Sequence, residues 1–178
     1  MKITLVRHGK TEYNDKGLIQ SVNNIPLNDA GRVQVKKLKI EMNSNKYDYC
    51  FTSPLVRSFE TAMILVGDKV EIKKDPRLIE RNYGKLEGKE KNLLDKKLYF
   101  NYDINSSAMK VEKIKDLEKR LIDFIKYLEK NYKDKNILIV THADIIRVLR
   151  NLLLNEDKKN ILKLNIPNCY IEEIEYKN

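Results

Sequence analysis

The chain contains only two histidines, and each follows a short apolar run that is typical of a buried β-strand. The first run is Ile3-Thr4-Leu5-Val6, followed by Arg7-His8, and the second is Ile137-Leu138-Ile139-Val140, followed by Thr141-His142. Ligands of α/β proteins bind outside the carboxyl ends of parallel strands. We therefore expect the two histidines, which are far apart in the chain, to face each other across one pocket.

Arginines and a carboxylate stand close to these histidines in the predicted order of elements. Arg7 precedes His8 directly, Arg57 lies one helical turn after Ser53-Pro54, and Glu80 follows an irregular stretch. Arginine binds phosphate oxygens in bidentate fashion and stabilises the charge of a phosphoryl-transfer transition state. One histidine can attack phosphorus while the other holds the equatorial oxygens, and a carboxylic acid can protonate the leaving alkoxide. This set of residue types predicts phosphoryl transfer.

Length and composition are those of one ordinary globular domain. The 178 residues are 42% hydrophobic and 34% charged, and the formal net charge is +9. The lysines are interleaved with acidic residues along helical stretches, so we interpret them as solvated faces and expect no nucleic-acid partner. The positive field should favour phosphorylated substrates.

No apolar run approaches the roughly 20 residues that span a membrane. The N-terminal segment is too short and too soon interrupted for a signal peptide, so we expect a cytoplasmic protein without a membrane partner. Cys50 and Cys169 are isolated in apolar stretches and are interpreted as reduced core thiols. No Cys or His cluster has metal-ligand spacing, so no metal is expected.

Strands alternate with helices along the chain, which predicts a three-layer α/β/α sandwich with a mostly parallel central sheet. The whole chain, 1–178, is expected to be one domain, with residues 85–111 as a variable lid or substrate segment that includes Tyr99, Phe100 and Tyr102. Ser53 is expected to be the N-cap of a helix that has Pro54 at its first position. The predicted strands are 2–7, 49–52, 70–72, 136–141 and an edge strand 170–176, and the predicted helices are 28–42, 54–66, 112–132 and 144–154.

Five segments resemble, in order and in spacing, the motifs of the histidine phosphatase superfamily, which includes the cofactor-dependent phosphoglycerate mutases. The first is Val6-Arg7-His8-Gly9-Lys10-Thr11 with Asn14, which looks like the family's Arg-His-Gly signature. The resemblance covers residues 2 to about 150. The other four segments are 19–31, Thr52-Ser53-Pro54-Leu55-Val56-Arg57 with Thr61-Ala62, Leu78 to Gly84 with Glu87-Gly88, and Val140-Thr141-His142 with Ile146-Arg147.

The resemblance implies a role for each matched residue. His8 would be the nucleophile that forms a phosphohistidine, with its other ring nitrogen held by a backbone carbonyl. Arg7, Arg57 and His142 would hold the phosphoryl group. Glu80 would protonate the leaving group and then activate water, although Asp75, Glu87 and Glu90 are nearby alternatives. The substrate contacts implied are Thr11, Asn14, Gln20, Ser21, Arg81, Tyr83, Arg147 and the backbone N–H of Ala143, with no cofactor and no metal.

Three positions depart from the family pattern. Ala143 stands where the family usually has glycine, which matters only if the site needs a positive φ. Ser21 replaces a glycine that is common in the substrate loop. Val111-Glu112-Lys113 is a loose match to the Gly-Glu-Ser segment that usually precedes the long helix.

The resemblance favours a phosphomonoesterase acting on a small phosphorylated metabolite. Mutases carry a longer insert after the proton-donor segment and a C-terminal tail that closes the site; a more open site admits water, which favours hydrolysis. A phosphoglycerate mutase is the second hypothesis, and a non-catalytic phospho-ligand module or a basic nucleic-acid binder are further alternatives. Within the phosphatases, α-ribazole phosphate, sugar phosphates, nucleotides and phosphohistidine proteins stay open, as does the oligomeric state.

Overall fold

The computed structural model describes residues 1–42, 46–95, 98, 109–158, 161 and 163–177. The described residues include one five-stranded sheet, whose strands lie in the order β3-β2-β4-β1-β5. Strands β1 to β4 run parallel, and β5 pairs antiparallel with β1 at the edge. The strands are β1 (Lys2–Arg7), β2 (Tyr49–Thr52), β3 (Ile72–Lys74), β4 (Asn136–Thr141) and β5 (Ile171–Glu175).

Helices cover both faces of this sheet, which confirms the three-layer sandwich. Alternate residues of β4 divide between two buried clusters, because successive strand side chains point to opposite faces. Ile137 and Ile139 pack with α4 and α5, whereas Leu138 and Val140 pack with α2 and α3. The helices are α1 (Glu12–Asp15), α2 (Asp29–Glu41), α3 (Val56–Val66), α4 (Ile114–Asn131) and α5 (Ala143–Leu153).

The long helix α4 buries the apolar stripe that its periodicity predicts. Leu117, Leu121, Phe124 and Leu128 are fully buried against the sheet, and Ile125 is almost so. Burying a side chain of this size contributes roughly 1.5–3 kcal/mol, so this stripe is a main source of stability for that face.

Three elements begin two residues later than the sequence predicts, and one element was not predicted. Helix α3 begins at Val56 with Leu55 as N-cap, so Ser53 and Pro54 lie outside it, and the Ser53 hydroxyl accepts from the Leu55 amide at 3.3 Å. The third strand lies two residues later than predicted, and α4 begins two residues later. The short helix α1 lies in the segment that was predicted to be a loop. It is stabilised at its start because the Thr11 side chain accepts from the Asn14 amide and the Asn14 side chain accepts from the Thr11 amide.

The segment expected to be a lid begins with short 3₁₀ turns at Gly84–Leu86 and Lys91–Leu93. Tyr99, Phe100 and Tyr102, which belong to this expected lid or substrate segment, lie outside the described residues. The role of residues 85–111 stays a prediction. Within the described ranges, no helix is long and apolar enough to cross a membrane, and the cytoplasmic location stays a prediction.

Candidate active site

The two histidines meet because their strands are neighbours. Strands β1 and β4 pair in parallel with Arg7 opposite Thr141, so the residues that follow emerge side by side. The His8 amide donates to the Thr141 carbonyl at 3.0 Å, and the centroids of the two imidazole rings lie 5.2 Å apart. Both rings are buried at the carboxyl edge of the sheet.

The hydrogen bond at His8 Nδ1 fixes its tautomer. Nδ1 lies 2.7 Å from the Gly9 carbonyl oxygen, which can only accept, so Nδ1 carries the proton and Nε2 keeps its lone pair. Burial lowers the pKa of His8 well below its ordinary value, and the cations Arg57 and Arg7 lower it further. The imidazole is therefore neutral at physiological pH, which is the state a nucleophile requires.

Two guanidinium groups lie beside this imidazole, that of Arg57 fully buried and that of Arg7 partly buried. Arg57, on α3, donates to the carbonyls of Asn23 at 2.6 Å and Ser21 at 2.9 Å, and Arg7 donates to the Ile166 carbonyl at 2.6 Å. Burial lowers the pKa of Arg57 to about 10, which still leaves it a cation at neutral pH. The backbone carbonyls hold these side chains in place before any substrate arrives.

Three buried nitrogen atoms in this cluster lack a hydrogen-bond partner among the described residues. They are Nε of Arg7, Nε of Arg57 and Nδ1 of His142. An unsatisfied buried donor costs about 1–3 kcal/mol, so a cluster of three such donors is uncommon in a folded protein. A phosphoryl group, which offers several acceptor oxygens, would satisfy them.

His142 is the N-cap residue of α5, and its ring packs edge to face with that of His8. Its Nε2 atom lies 3.3 Å from the Ser58 hydroxyl, and its ring is fully buried. Burial lowers the pKa of His142 well below its ordinary value, with Arg57 and His8 as the next causes. The ring is therefore neutral, and its tautomer can present Nδ1 as a donor.

Glu80 supplies a carboxyl group with the opposite shift. Burial raises its pKa to about 7, and the neighbouring Asp144 is the next cause, while the amide of Arg81 donates to the Glu80 carboxylate at 3.0 Å and opposes the shift. About half of the Glu80 carboxyl groups are then protonated at neutral pH. A carboxyl group in this state can donate a proton to a leaving group.

The alternative acids are engaged elsewhere. Asp75 pairs with Arg77 at 2.6 Å, and Glu87 accepts from two backbone amides, those of Val22 and Asn23, at 3.1 Å each. Glu90 accepts from an asparagine amide at 2.9 Å. None of the three lines the cavity that contains His8, whereas Glu80 does. The geometry therefore favours Glu80.

The cavity in front of His8 has a volume of about 390 Å³, which suits a small metabolite. Nine of the residues expected at the site line it: Arg7, His8, Gln20, Ser21, Arg57, Glu80, Tyr83, Ala143 and Arg147. The wall also contains seven residues that the sequence analysis did not select: Ile19, Lys91, Asn92, Leu94, Asp144, Asn165 and Ile166.

Three of the expected substrate contacts lie behind the cavity wall. Thr11 donates through its hydroxyl to Gln20 at 2.9 Å and through its amide to Asn14 at 3.2 Å, so both Thr11 and Asn14 orient the wall from behind. Arg81 is buried, and its Nε donates to the Glu112 carbonyl at 2.8 Å. His142 is also absent from the wall of the cavity, and its ring centroid lies 5.2 Å from that of His8.

The two glycine replacements have different consequences. Ala143 is the first residue of α5 and has helical backbone angles, so this position does not require glycine. Ser21 has φ of 51°, the left-handed conformation that glycine adopts most easily. Its hydroxyl accepts from the Tyr83 amide at 2.8 Å, which gives a reason for serine there.

Asp144 is the main acidic group that the sequence analysis missed. It is buried, it accepts a short hydrogen bond from the Tyr83 hydroxyl, and it forms an ion pair with Arg147 at 2.8 Å. Its position two residues after His142, at the start of an amphipathic helix, is a signal that could have found it. Lys91 carries no such signal, since it belongs to a polar segment without a recognisable pattern.

The fold and the site together are typical of phosphoryl-transfer proteins that use histidine as the acceptor. The chain belongs to the histidine phosphatase superfamily (branch 1), whose family model matches residues 3–178. The resemblance found in the sequence is thereby confirmed.

Known relatives include both phosphatases and mutases. Phosphoserine phosphatase 1 of Hydrogenobacter thermophilus is 26% identical over 95% of this chain and 83% of its own length. A 2,3-bisphosphoglycerate-dependent phosphoglycerate mutase of Thermoplasma acidophilum is 29% identical over 98% of this chain and 88% of its own. The solved structure of an Entamoeba histolytica phosphoserine phosphatase with 3-phosphoglyceric acid is 27% identical, with a TM-score of 0.83 over 97% of this chain and 89% of that one.

Within the described part of the chain, no group of three or more His, Cys, Asp or Glu residues is placed to hold a metal ion. Cys50 is a buried free thiol and Cys169 a partly buried one, as the sequence analysis expects.

Proposed function

We propose that the protein is a phosphomonoesterase that hydrolyses a small phosphorylated metabolite through a phosphohistidine intermediate on His8. The observation that carries this proposal is the tautomer of His8: a neutral imidazole with its Nε2 lone pair available, beside Arg7 and Arg57. A structural histidine gains nothing from two neighbouring guanidinium groups, because they disfavour its charged form and a charge such as that of Arg57 is costly to bury.

In the first half-reaction, Nε2 of His8 attacks phosphorus and the bond from phosphorus to the ester oxygen breaks. Glu80 gives its proton to that oxygen, so the leaving group departs as an alcohol. The arginines and His142 hold the three equatorial oxygens through the transition state, where the charge is spread over them. The protonated fraction that the Glu80 pKa of about 7 provides is what makes this step possible near neutral pH.

In the second half-reaction, the Glu80 carboxylate takes a proton from water, whose oxygen attacks the phosphohistidine. The bond from phosphorus to nitrogen breaks, inorganic phosphate leaves, and both His8 and Glu80 return to their starting states. Arg7 and Arg57 supply the positive charge that a metal ion supplies in other phosphatases, so we expect the reaction to proceed without one.

The cavity and the relatives suggest which leaving groups to test first. Besides the residues proposed to hold the phosphoryl group, the cavity wall contains the basic residues Arg147 and Lys91 and the acidic residue Asp144. Small polar leaving groups fit such a wall. Phosphoserine and 3-phosphoglycerate enter the panel because of the relatives named above, and α-ribazole phosphate enters because the α-ribazole phosphatase of Shigella flexneri shares the fold, with a TM-score of 0.84 at 23% identity.

The test is phosphate release from this panel, extended with sugar phosphates and nucleotides, in the presence of EDTA. His8→Ala is the loss variant, and Lys36→Ala, on the solvent side of α2, is the matched control. We expect hydrolysis by the wild type and the control, no turnover by His8→Ala, and an acid-labile phosphoryl group on wild-type protein quenched during turnover. Full activity of His8→Ala would refute the mechanism.

A mutase is the second candidate, because relatives of that activity match nearly the whole chain. It predicts little phosphate release from any ester and conversion of 3-phosphoglycerate only when a bisphosphoglycerate primer is present. Primer-independent phosphate release that exceeds isomerisation would exclude it.

A further inference from the structure

We propose that Asn168 is a positioning residue for the nucleophile: its side-chain amide holds the Gly9 carbonyl that selects the reactive tautomer of His8. This inference rests on the proposed function in one respect only, the role of His8 as nucleophile. Asn168 lies beyond the last segment that carries the family resemblance, in the loop that leads into β5.

The amide nitrogen of Asn168 faces three oxygen acceptors. It lies 3.1 Å from each of the carbonyl oxygens of His8 and Gly9 and 3.1 Å from Oδ1 of Asn14. Since the two backbone groups can only accept, only the nitrogen end of the Asn168 amide can face them. The Gly9 carbonyl is also the acceptor for Nδ1 of His8, at 2.7 Å.

One carbonyl oxygen is therefore shared by the nucleophile and Asn168. A carbonyl oxygen has two lone pairs, and here one accepts from the imidazole and the other from the amide. With both filled, the carbonyl is held in the direction that keeps the proton of His8 on Nδ1. Without Asn168, the carbonyl is free to turn, and the tautomer with the proton on Nε2, which cannot attack phosphorus, gains population.

The edge strand β5 explains how a residue so far along the chain reaches the nucleophile. β5 pairs antiparallel with β1, and the approach to it is fixed by bonds from the Cys169 amide to the His8 carbonyl at 3.3 Å and from the Arg7 amide to the Tyr170 carbonyl at 3.0 Å. These bonds place Asn168 directly behind the His8–Gly9 turn. The antiparallel strand thus contributes to the chemistry as well as to the sheet.

The tautomer can be measured directly, because the protein has only two histidines. With ¹⁵N-histidine labelling, two-bond and three-bond proton–nitrogen correlations distinguish a protonated ring nitrogen from one with a free lone pair, and His142→Gln assigns the two rings. In the wild type, we expect His8 with Nδ1 protonated and Nε2 free. In Asn168→Ala, we expect the Nε2 resonance of His8 to move toward the protonated position.

Turnover should change in the same direction. Because the defect lies in the orientation of the nucleophile and not in substrate contacts, kcat should fall about 10- to 100-fold while KM stays within about threefold. Asn168→Asp keeps the size of the side chain but removes the donor, so it should behave in the same way. It also serves as the test should Asn168→Ala fail to fold.

Asn151 offers a matched control. Its side-chain amide also holds two backbone carbonyls, those of Glu156 and Asp157 at 3.1 Å each, in the loop after α5 and away from the cavity. Asn151→Ala should lower stability while leaving the His8 tautomer and kcat as in the wild type.

Wild-type tautomer and wild-type kcat in both Asn168 variants would overturn the proposal, and so would an equal tautomer change in Asn151→Ala. If the wild type hydrolyses no ester, the proposed function fails by itself, whereas the tautomer measurement still decides the role of Asn168.

Discussion

Replacing Glu80 by glutamine should separate substrates according to how much their leaving groups need a proton. An alkyl phosphate releases a strongly basic alkoxide, so its transition state depends on a general acid. An activated aryl phosphate releases a stable phenolate that needs little help. Glu80→Gln keeps the size and one acceptor of the side chain while it removes the titrating proton.

The pKa of Glu80 sets the magnitude and the sign. The active form is the protonated one, and a pKa raised to about 7 means that this form is present below pH 7 and is lost as the pH rises through it. One pH unit above that value, about one tenth of the enzyme keeps the proton, so kcat/KM for the alkyl ester should fall about tenfold per pH unit. In Glu80→Gln, kcat/KM for the alkyl ester should be about 10²- to 10⁴-fold lower at pH 6. Its fall at high pH, the basic limb of the pH profile, should be absent.

The assay is kcat/KM from pH 5 to pH 9 for one alkyl and one aryl phosphate. This ratio includes only the steps up to formation of the phosphoenzyme, so the later action of Glu80 on water does not enter. Glu118→Gln is the matched control, since Glu118 lies on α4, where its carboxylate pairs with Lys158 at 2.9 Å, and does not line the cavity. An equal loss on both esters, or a basic limb that survives in Glu80→Gln, would refute the assignment of the acid to Glu80.

Two further substitutions test the surroundings of the acid. Asp144→Asn removes the largest electrostatic cause of the raised Glu80 pKa, so the basic limb of the pH profile should move about 1 pH unit toward lower pH. Tyr83→Phe keeps the Asp144 carboxylate and should leave that limb in place. An unmoved limb in Asp144→Asn would contradict this account. At Ser21, where φ is 51°, glycine and alanine both lose the hydroxyl bond to the Tyr83 amide, but only glycine relieves the left-handed backbone. Ser21→Gly should therefore be about 1 kcal/mol more stable to urea than Ser21→Ala, and equal stability of the two would show that the backbone is unstrained.

The sequence predicts the parts of the site that are attached to apolar strands. The runs that precede His8 and His142 are almost entirely hydrophobic in their central four residues, which is typical of strands buried on both faces. Such strands belong in the middle of a parallel sheet, where their carboxyl ends must lie close together. That reasoning needs no information about side-chain contacts, and it predicts the neighbouring positions of the two histidines.

The errors arise where local preference gives way to pairing or packing. Ile72–Lys74 forms a strand because it pairs with β2, although two of its three residues are lysines. Helix α3 begins two residues later than the Ser53-Pro54 pattern predicts, because the Ser53 amide still pairs with the Val140 carbonyl at 3.1 Å and the Val56 amide donates to the Asn24 side chain at 2.7 Å. Tertiary contacts decided both cases, and a local pattern carries no information about them.

The residues that sequence analysis missed act through space across long chain separations. Asp144 matters because it faces Glu80 from another element, and Asn168 matters because an antiparallel edge strand returns it to the first turn of the chain. Neither forms part of a short motif with its partner. The proximity of Asp144 to Glu80 and that of Asn168 to Gly9 therefore cannot be recognised from a single sequence.

The two key groups of the site are adjusted by one physical cause. Burial disfavours the charged form of any side chain, and it is the largest cause of the shift in both the pKa of His8, which falls, and the pKa of Glu80, which rises. Arg57 and Arg7 lower the pKa of His8 further, while Asp144 adds to the rise at Glu80. The same desolvated edge of the sheet therefore yields a neutral base able to attack and a protonated acid able to donate, which is the pairing that a phosphoryl transfer from an alcohol oxygen to nitrogen requires.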